Sequence, residues 1–152
     1  MGKKLQNRHI AMSGCLLGIP CRYDGHGKFN EKALKLFAQN KVLIVCPEIF
    51  GGLATPRPAC ELVGGDGFDV LDGKAKVCDK DGKDFTKEFI DGAHKALKSI
   101  KELGIEKVYL KSKSPSCGTS RVHNGTFSGT LHKGSGVFSA LLQREGINIE
   151  EI

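Results

Sequence analysis

The chain has 152 residues, a net charge of +6, 39% apolar and 26% charged residues. That size suits one α/β domain over residues 1–152 with a real core, and the composition excludes a disordered chain or a membrane-embedded one. Six cysteines and twenty glycines, the latter about twice the usual share, are the departures that need a physical reason.

The pattern alternates strand and helix. His9–Ser13 is a short extended stretch that feeds a Gly-containing turn. Asn30 is a predicted N-cap, with Ala33, Leu34, Leu36 and Phe37 forming a helical face to about Gln39. Val42–Val45 is an unbroken aliphatic run of the kind buried parallel strands carry. Residues 47–85 are punctuated by Pro and Gly and read as an irregular insert, with Lys74–Cys78 as a short strand and a turn at Asp81-Gly82. Thr86 or Asp84 caps a long helix whose face is Phe89, Ala93, Ala96, Leu97, Ile100 and Leu103, closed by Gly104. Lys107–Lys111 is the next strand. Ser135 or Gly136 opens a last helix with Val137, Phe138, Leu141 and Leu142; Gly146 ends it, and Ile147–Ile149 is a final strand. This order predicts a three-layer, Rossmann-like α/β domain with a small, mostly parallel sheet.

Export and anchoring signals are not evident. Met12-Ser13-Gly14-Cys15 loosely resembles a lipoprotein cleavage box, but the apolar run before it is far shorter than the ~7–15 residues an export signal needs. No run approaches the ~18 apolar residues of a membrane span. The expected compartment is the cytoplasm, where disulfides are rare and cysteines point first to metal or catalysis.

Cys15, Cys21, Cys46, Cys60, Cys78 and Cys117 contain no C-x-x-C pair, which excludes zinc-ribbon, thioredoxin and ferredoxin-type local motifs. Three share another property. Cys15, Cys46 and Cys117 each follow the carboxyl end of a predicted parallel strand, the edge where open α/β sheets bind ligands. Neighbouring strands stand ~5 Å apart, so three strand ends suit three thiolates around something cluster-sized. An iron–sulfur cluster usually has four protein ligands; with three, one iron keeps an open position, as a catalytic zinc does. Cys60 and Cys78 are not expected as ligands.

Three motifs carry a family resemblance. They are Ser13-Gly14-Cys15-Leu16-Leu17-Gly18-Ile19-Pro20-Cys21-Arg22-Tyr23-Asp24-Gly25, then Cys46-Pro47-Glu48-Ile49-Phe50-Gly51-Gly52-Leu53-Ala54-Thr55-Pro56-Arg57-Pro58, then Lys111-Ser112-Lys113-Ser114-Pro115-Ser116-Cys117-Gly118 followed by Gly125-Thr126-Phe127-Ser128-Gly129. Together they resemble the thiouracil desulfidase family, long catalogued as domain of unknown function 523, over about residues 9–150. The resemblance implies a [4Fe–4S] cluster held by Cys15, Cys46 and Cys117. It also implies an iron–sulfur-dependent desulfidase that removes sulfur from a small thiolated pyrimidine without redox change, giving uracil and hydrosulfide. Within it, Glu48 is placed to be the general base for water. Ser114, favoured by the family match, or Ser116 is placed to hydrogen-bond the substrate or the leaving sulfur. Arg22 and Arg57 either hold an anion or a uracil carbonyl, or brace their loops against Asp24 or Glu61. The five histidines have no metal-like spacing, and most read as surface residues.

Two alternatives use the same residues. One is an iron–sulfur or metal-binding redox sensor without catalysis. The other is a nucleotide- or RNA-binding module, which the net charge suits; against it, the lysines are spread over helices and turns and no RNA-binding motif is visible.

Overall fold

A computed structural model describes residues 8–19 and 30–152. Cys21, Arg22, Tyr23, Asp24, Gly25 and His26 lie outside the described residues. In chain order the first elements are β1 (His9–Ser13), a 3-10 turn at Gly14–Leu17, α1 (Glu31–Gln39), β2 (Lys41–Val45) and α2 (Pro47–Phe50). Next come β3 (Cys60–Val63), α3 (Gly67–Leu71), β4 (Lys76–Asp79) and α4 (Thr86–Glu102). The chain closes with β5 (Lys107–Leu110), β6 (Arg121–His123), β7 (Leu131–Lys133), α5 (Val137–Arg144) and β8 (Asn148–Glu151).

The central sheet has the order β2-β1-β5-β8, all parallel. Side chains alternate across it, as strand geometry requires. Ile10 and Met12 of β1 point to the side that Ala33 of α1 covers, with Val42 and Tyr109 beside them. Ala11, Val45, Val108 and Leu110 point to the other side, into the larger core with Phe89, Ile100 and Phe138 of α4 and α5. The expected three-layer α/β architecture is therefore present. No described helix is long and apolar enough to cross a membrane.

Local chemistry sets the element ends. The Asn30 side chain accepts from the Ala33 amide at 2.9 Å and caps α1. For α4 the cap position is Phe85, and Asp84 supplies the acceptor, bonding the Thr86 amide at 2.8 Å. The Thr86 hydroxyl instead accepts from Val77 of β4 at 2.9 Å. Leu103 falls outside the expected apolar face and is exposed, because α4 ends at Glu102 and the chain turns through Gly104. Leu34 and Phe37 are likewise exposed, so α1 buries a narrower stripe than its sequence predicts.

The insert is more ordered than expected. It holds α2, the antiparallel pair β3–β4, and α3, which starts at an Asp66/Asp69 capping box. The loop after Cys117 also contains an antiparallel pair, β6–β7.

One contact in this region places functional residues. Helix α2 lies against α4 at glycine distance. A Cβ on Gly92 would stand 1.8 Å from the Pro47 carbonyl oxygen, and one on Gly51 would stand 2.0 Å from the Glu88 carbonyl oxygen. No larger residue fits without moving backbone. Gly92→Ala should therefore destabilise the protein by about 3 kcal/mol through overpacking, although helix propensity alone would favour alanine by ~1 kcal/mol. Urea unfolding of wild type and variant measures which effect wins.

Candidate active site

The strand order reverses at β1. The chain runs from β1 to β2 on one side, then crosses to β5 on the other. Such a switch point leaves a crevice at the carboxyl edge. At this edge β1 pairs with β5 over Ala11 and Met12 only, whereas all five β1 residues pair with β2. The Ser13 hydroxyl bridges the gap by accepting from the Lys111 amide at 3.2 Å. A cavity of about 490 Å³ occupies this place.

Cys15, Cys46 and Cys117 all line the cavity, one from beyond each of β1, β2 and β5. Cys15 and Cys117 are buried, and Cys46 is half-buried. Cys46 is the N-cap residue of α2, and Pro47 opens that helix at the position where proline is tolerated best. Glu48 then falls in the first turn and reaches the same cavity.

Glu48 is held from two directions. Nη2 of Arg57 donates to its Oε1 at 2.5 Å, and the Ser116 hydroxyl donates to its Oε2 at 3.3 Å. The Arg57 and Glu48 side chains are 6% and 16% exposed, so the ion pair is largely out of water. Nη1 of Arg57 donates to the Ala54 carbonyl at 2.9 Å, tying the Thr-Pro-Arg-Pro loop to the pair. Arg57 thus braces a loop, but against Glu48 and not Glu61. Glu61 is engaged elsewhere. It is buried and accepts from the amides of Gly125 and Phe127 at 3.0 and 3.1 Å. Arg22 lies outside the described residues.

The loop 114–118 is fixed by its own hydroxyl and by α5. The Ser114 hydroxyl accepts from the amides of Ser116 and Cys117, both at 3.1 Å. Ser114 lines the cavity. A hydroxyl has one donor besides its two acceptor sites, and no acceptor among the described residues takes that proton. Ser116 is 1% exposed and works on Glu48. The carbonyls of Pro115, Ser116 and Gly118 accept from the amides of Val137, Ser139 and Gly136 at 2.7–3.0 Å, which satisfies the first amides of α5. Beyond Cys117, Glu151 of β8 accepts from the Thr119 amide at 2.7 Å and the Ser120 hydroxyl at 2.9 Å.

Two further wall residues fall outside the expected site set. Cys60 and His123 both line the cavity. Each lies on a short strand, β3 or β6, that composition alone does not reveal. The Gly125-Thr126-Phe127 motif was a nearby signal for His123. Cys60 is half-buried; burial, with the nearby charges of Glu48 and Asp79, pushes its thiol up to about 12. Cys78 is not among the cavity-lining residues; it pairs with Glu61 across β3–β4.

A parallel α/β fold with a thiol-walled crevice and a braced carboxylate at its switch point defines an enzyme of the α/β class. The chain belongs to the 2-thiouracil desulfurase family, whose model matches residues 10–151. It is similar to the [4Fe–4S]-dependent thiouracil desulfidase TudS, with a TM-score of 0.83 and 40% identity, covering 95% of this chain and 91% of that one. It is also 46% identical over 140 residues to the uncharacterized protein YbbK of Bacillus subtilis strain 168, covering 92% of this chain and 93% of that protein. The family expected from the three motifs is the one found.

Two outcomes test this geometry. Arg57→Met leaves a largely buried carboxylate without its partner and should cost about 2–4 kcal/mol. Combined with Glu48→Gln it should cost less than the two singles summed, a coupling of about 1–3 kcal/mol in urea unfolding. Burial and the charges of Glu48 and Asp79 hold the Cys60 proton more tightly than an ordinary thiol's, so at pH 8 it carries much less thiolate. Iodoacetamide should label it slowly in reduced, cluster-free protein and quickly after unfolding, as read by peptide mass mapping.

Proposed function

We propose that this chain removes sulfur from a thiolated uracil, releasing hydrosulfide, with a [4Fe–4S] cluster held by Cys15, Cys46 and Cys117. The observation that carries the reading is that three thiols from three adjacent parallel-strand ends share one cavity with a braced glutamate. The donor set fits such a group. Three cysteines line one cavity, and sulfur donors are those such clusters take. The cavity lies within the usual range for small-ligand sites, ~300–1,000 Å³.

When bound, the cluster supplies a Lewis-acidic iron with an open position for a soft thiocarbonyl sulfur. The chain's residues do the rest. Glu48 takes a proton from water as the oxygen bonds to the ring carbon, while Arg57 and Ser116 fix where that carboxylate stands. The donor left on the Ser114 hydroxyl supports the substrate or the departing sulfur. The C–S bond breaks and a C–O bond takes its place. Sulfur leaves as hydrosulfide, and no electron is gained or lost.

The test is anaerobic reconstitution with iron and sulfide, followed by assay of hydrosulfide release from 2-thiouracil. Serine in place of Cys15, Cys46 or Cys117 should abolish cluster uptake, read as iron content and visible absorption. Glu48→Gln should keep the cluster and lose about 10²–10⁴-fold in turnover. Failure of the wild type to form any cluster would sink the reading. A cluster in the wild type with no turnover of any thiolated pyrimidine would leave the sensor reading in its place.

A further inference from the structure

Cys117 stands on the stretch 111–118 that leaves β5, and that stretch is tied down at its far end by another strand. Glu151 is the last residue of β8 and pairs in register with Leu110, the last residue of β5. Its carboxylate reaches the turn that follows Cys117. Oε2 accepts from the Thr119 amide at 2.7 Å and from the Ser120 amide at 3.4 Å. Oε1 accepts from the Ser120 hydroxyl at 2.9 Å. The β5–β8 ladder is made by backbone groups, so the sheet does not need this carboxylate. What the carboxylate does is return the end of the loop to the strand pair from which the loop departs.

Thr119 is engaged at every polar group. Its amide donates to Glu151, and its carbonyl accepts from the Ser135 hydroxyl at 2.9 Å. Its hydroxyl accepts from Ser139 at 3.3 Å and donates to the Cys117 carbonyl at 3.4 Å. Nε2 of Gln143 donates to Ser135 and Ser139 at 2.9 and 3.1 Å. Among the described residues of this network Glu151 alone is charged, and hydrogen bonds to a carboxylate are roughly twice as strong as neutral ones. The same strand supplies a contrast. Glu150 points to the opposite face, as strand alternation requires, and pairs there with Lys32 and Lys107.

We infer that Glu151 is a positioning residue for Cys117: it fixes both ends of the 110–119 loop at one point of the sheet and so holds the thiol in the cavity wall. The inference rests on the ligand set proposed above. A thiol on a loop anchored at one end only spends less of its time in reach of its iron, and iron bound through it escapes more readily. Groups that orient a metal's ligands without touching the metal typically change its affinity by about 10–100-fold.

The experiment compares wild type, Glu151→Ala, Glu151→Gln and Glu150→Ala, each reconstituted anaerobically with iron and sulfide. The rate of iron loss to a ferrous chelator and the visible circular dichroism of the bound cluster are measured, with urea unfolding of the cluster-free proteins alongside. Glu151→Ala should lose iron about tenfold faster or more, with an altered dichroism spectrum. Glu151→Gln keeps an acceptor oxygen but not the charge, and should lose iron about threefold faster; it carries the test alone where Glu151→Ala does not fold. Glu150→Ala gives up two ion pairs on the same strand and should match the wild type in both iron readouts, whatever its urea midpoint. Wild-type iron loss and spectrum in the Glu151 variants would overturn the inference. So would equally fast loss from Glu150→Ala, which would mean that any loosening of β8 suffices. A wild type that holds a cluster without turning over thiouracil would overturn the desulfuration reading alone, and iron loss would still decide the role of Glu151. A wild type that takes up no cluster would overturn both.

Discussion

Everything at this site depends on the parallel alignment of the four central strands. Parallel strands end on the same edge, so whatever follows each strand is delivered to one place. Here the residues that follow β1, β2 and β5 include Cys15, Cys46 and Cys117. An antiparallel neighbour would have sent one of those thiols to the far end of the sheet. The β1–β5 pairing at this edge is short. Two paired residues hold the strands together, and the Ser13 hydroxyl then spans to the Lys111 amide where the cavity lies.

A second constraint brings the carboxylate to the thiols. Cys46 and Glu48 are close in sequence, but a four-residue helix is far too short to hold a direction by its own hydrogen bonds. Its direction comes from outside. Gly51 and Gly92 let α2 settle against α4 with backbone touching backbone, and the buried Arg57–Glu48 pair closes the other side. The orientation of Glu48 is thus a property of tertiary packing, carried by residues as distant in sequence as Gly92. The same division of labour holds for Cys117. Its loop is shaped locally by Ser114 and anchored by the first amides of α5 and by Glu151 of β8.

What was legible in the sequence had local causes. β1, α1 and α4 were readable because alternation, helical periodicity and caps are written within the segment itself. The cysteine trio was readable because each member follows an aliphatic strand run. The rest was set by distant partners. β3 exists because Cys60–Val63 pairs with Lys76–Asp79, and β6 because Arg121–His123 pairs with Leu131–Lys133. Neither segment is long enough to declare itself. The places of Cys60 and His123 in the wall went unread for that reason, and so did the partner of Arg57, since nothing in the Thr-Pro-Arg-Pro run tells one glutamate from another. The basic charge was a weaker signal than it first looked. Lys32 and Lys107 pair with Glu150, Lys101 with Glu145, and Lys87 with Asp91, surface pairs of a kind that contribute little individually.

Among the described residues four thiols line the cavity, and the proposed cluster uses three of them. The environment of the fourth gives a physical reason for the distinction. A thiolate, not a thiol, is the form that ligates metal. Cys60 sits where burial disfavours the thiolate, and Glu48 and Asp79 add two negative charges that disfavour it further, against the opposing charge of Arg57. The Glu48 proposed as the base therefore also disfavours the Cys60 thiolate. In the proposed arrangement a neutral thiol in that position would leave the fourth coordination site open, whereas a fourth thiolate would close it. The charges in the wall as well as the strand ends therefore favour the proposed set of three.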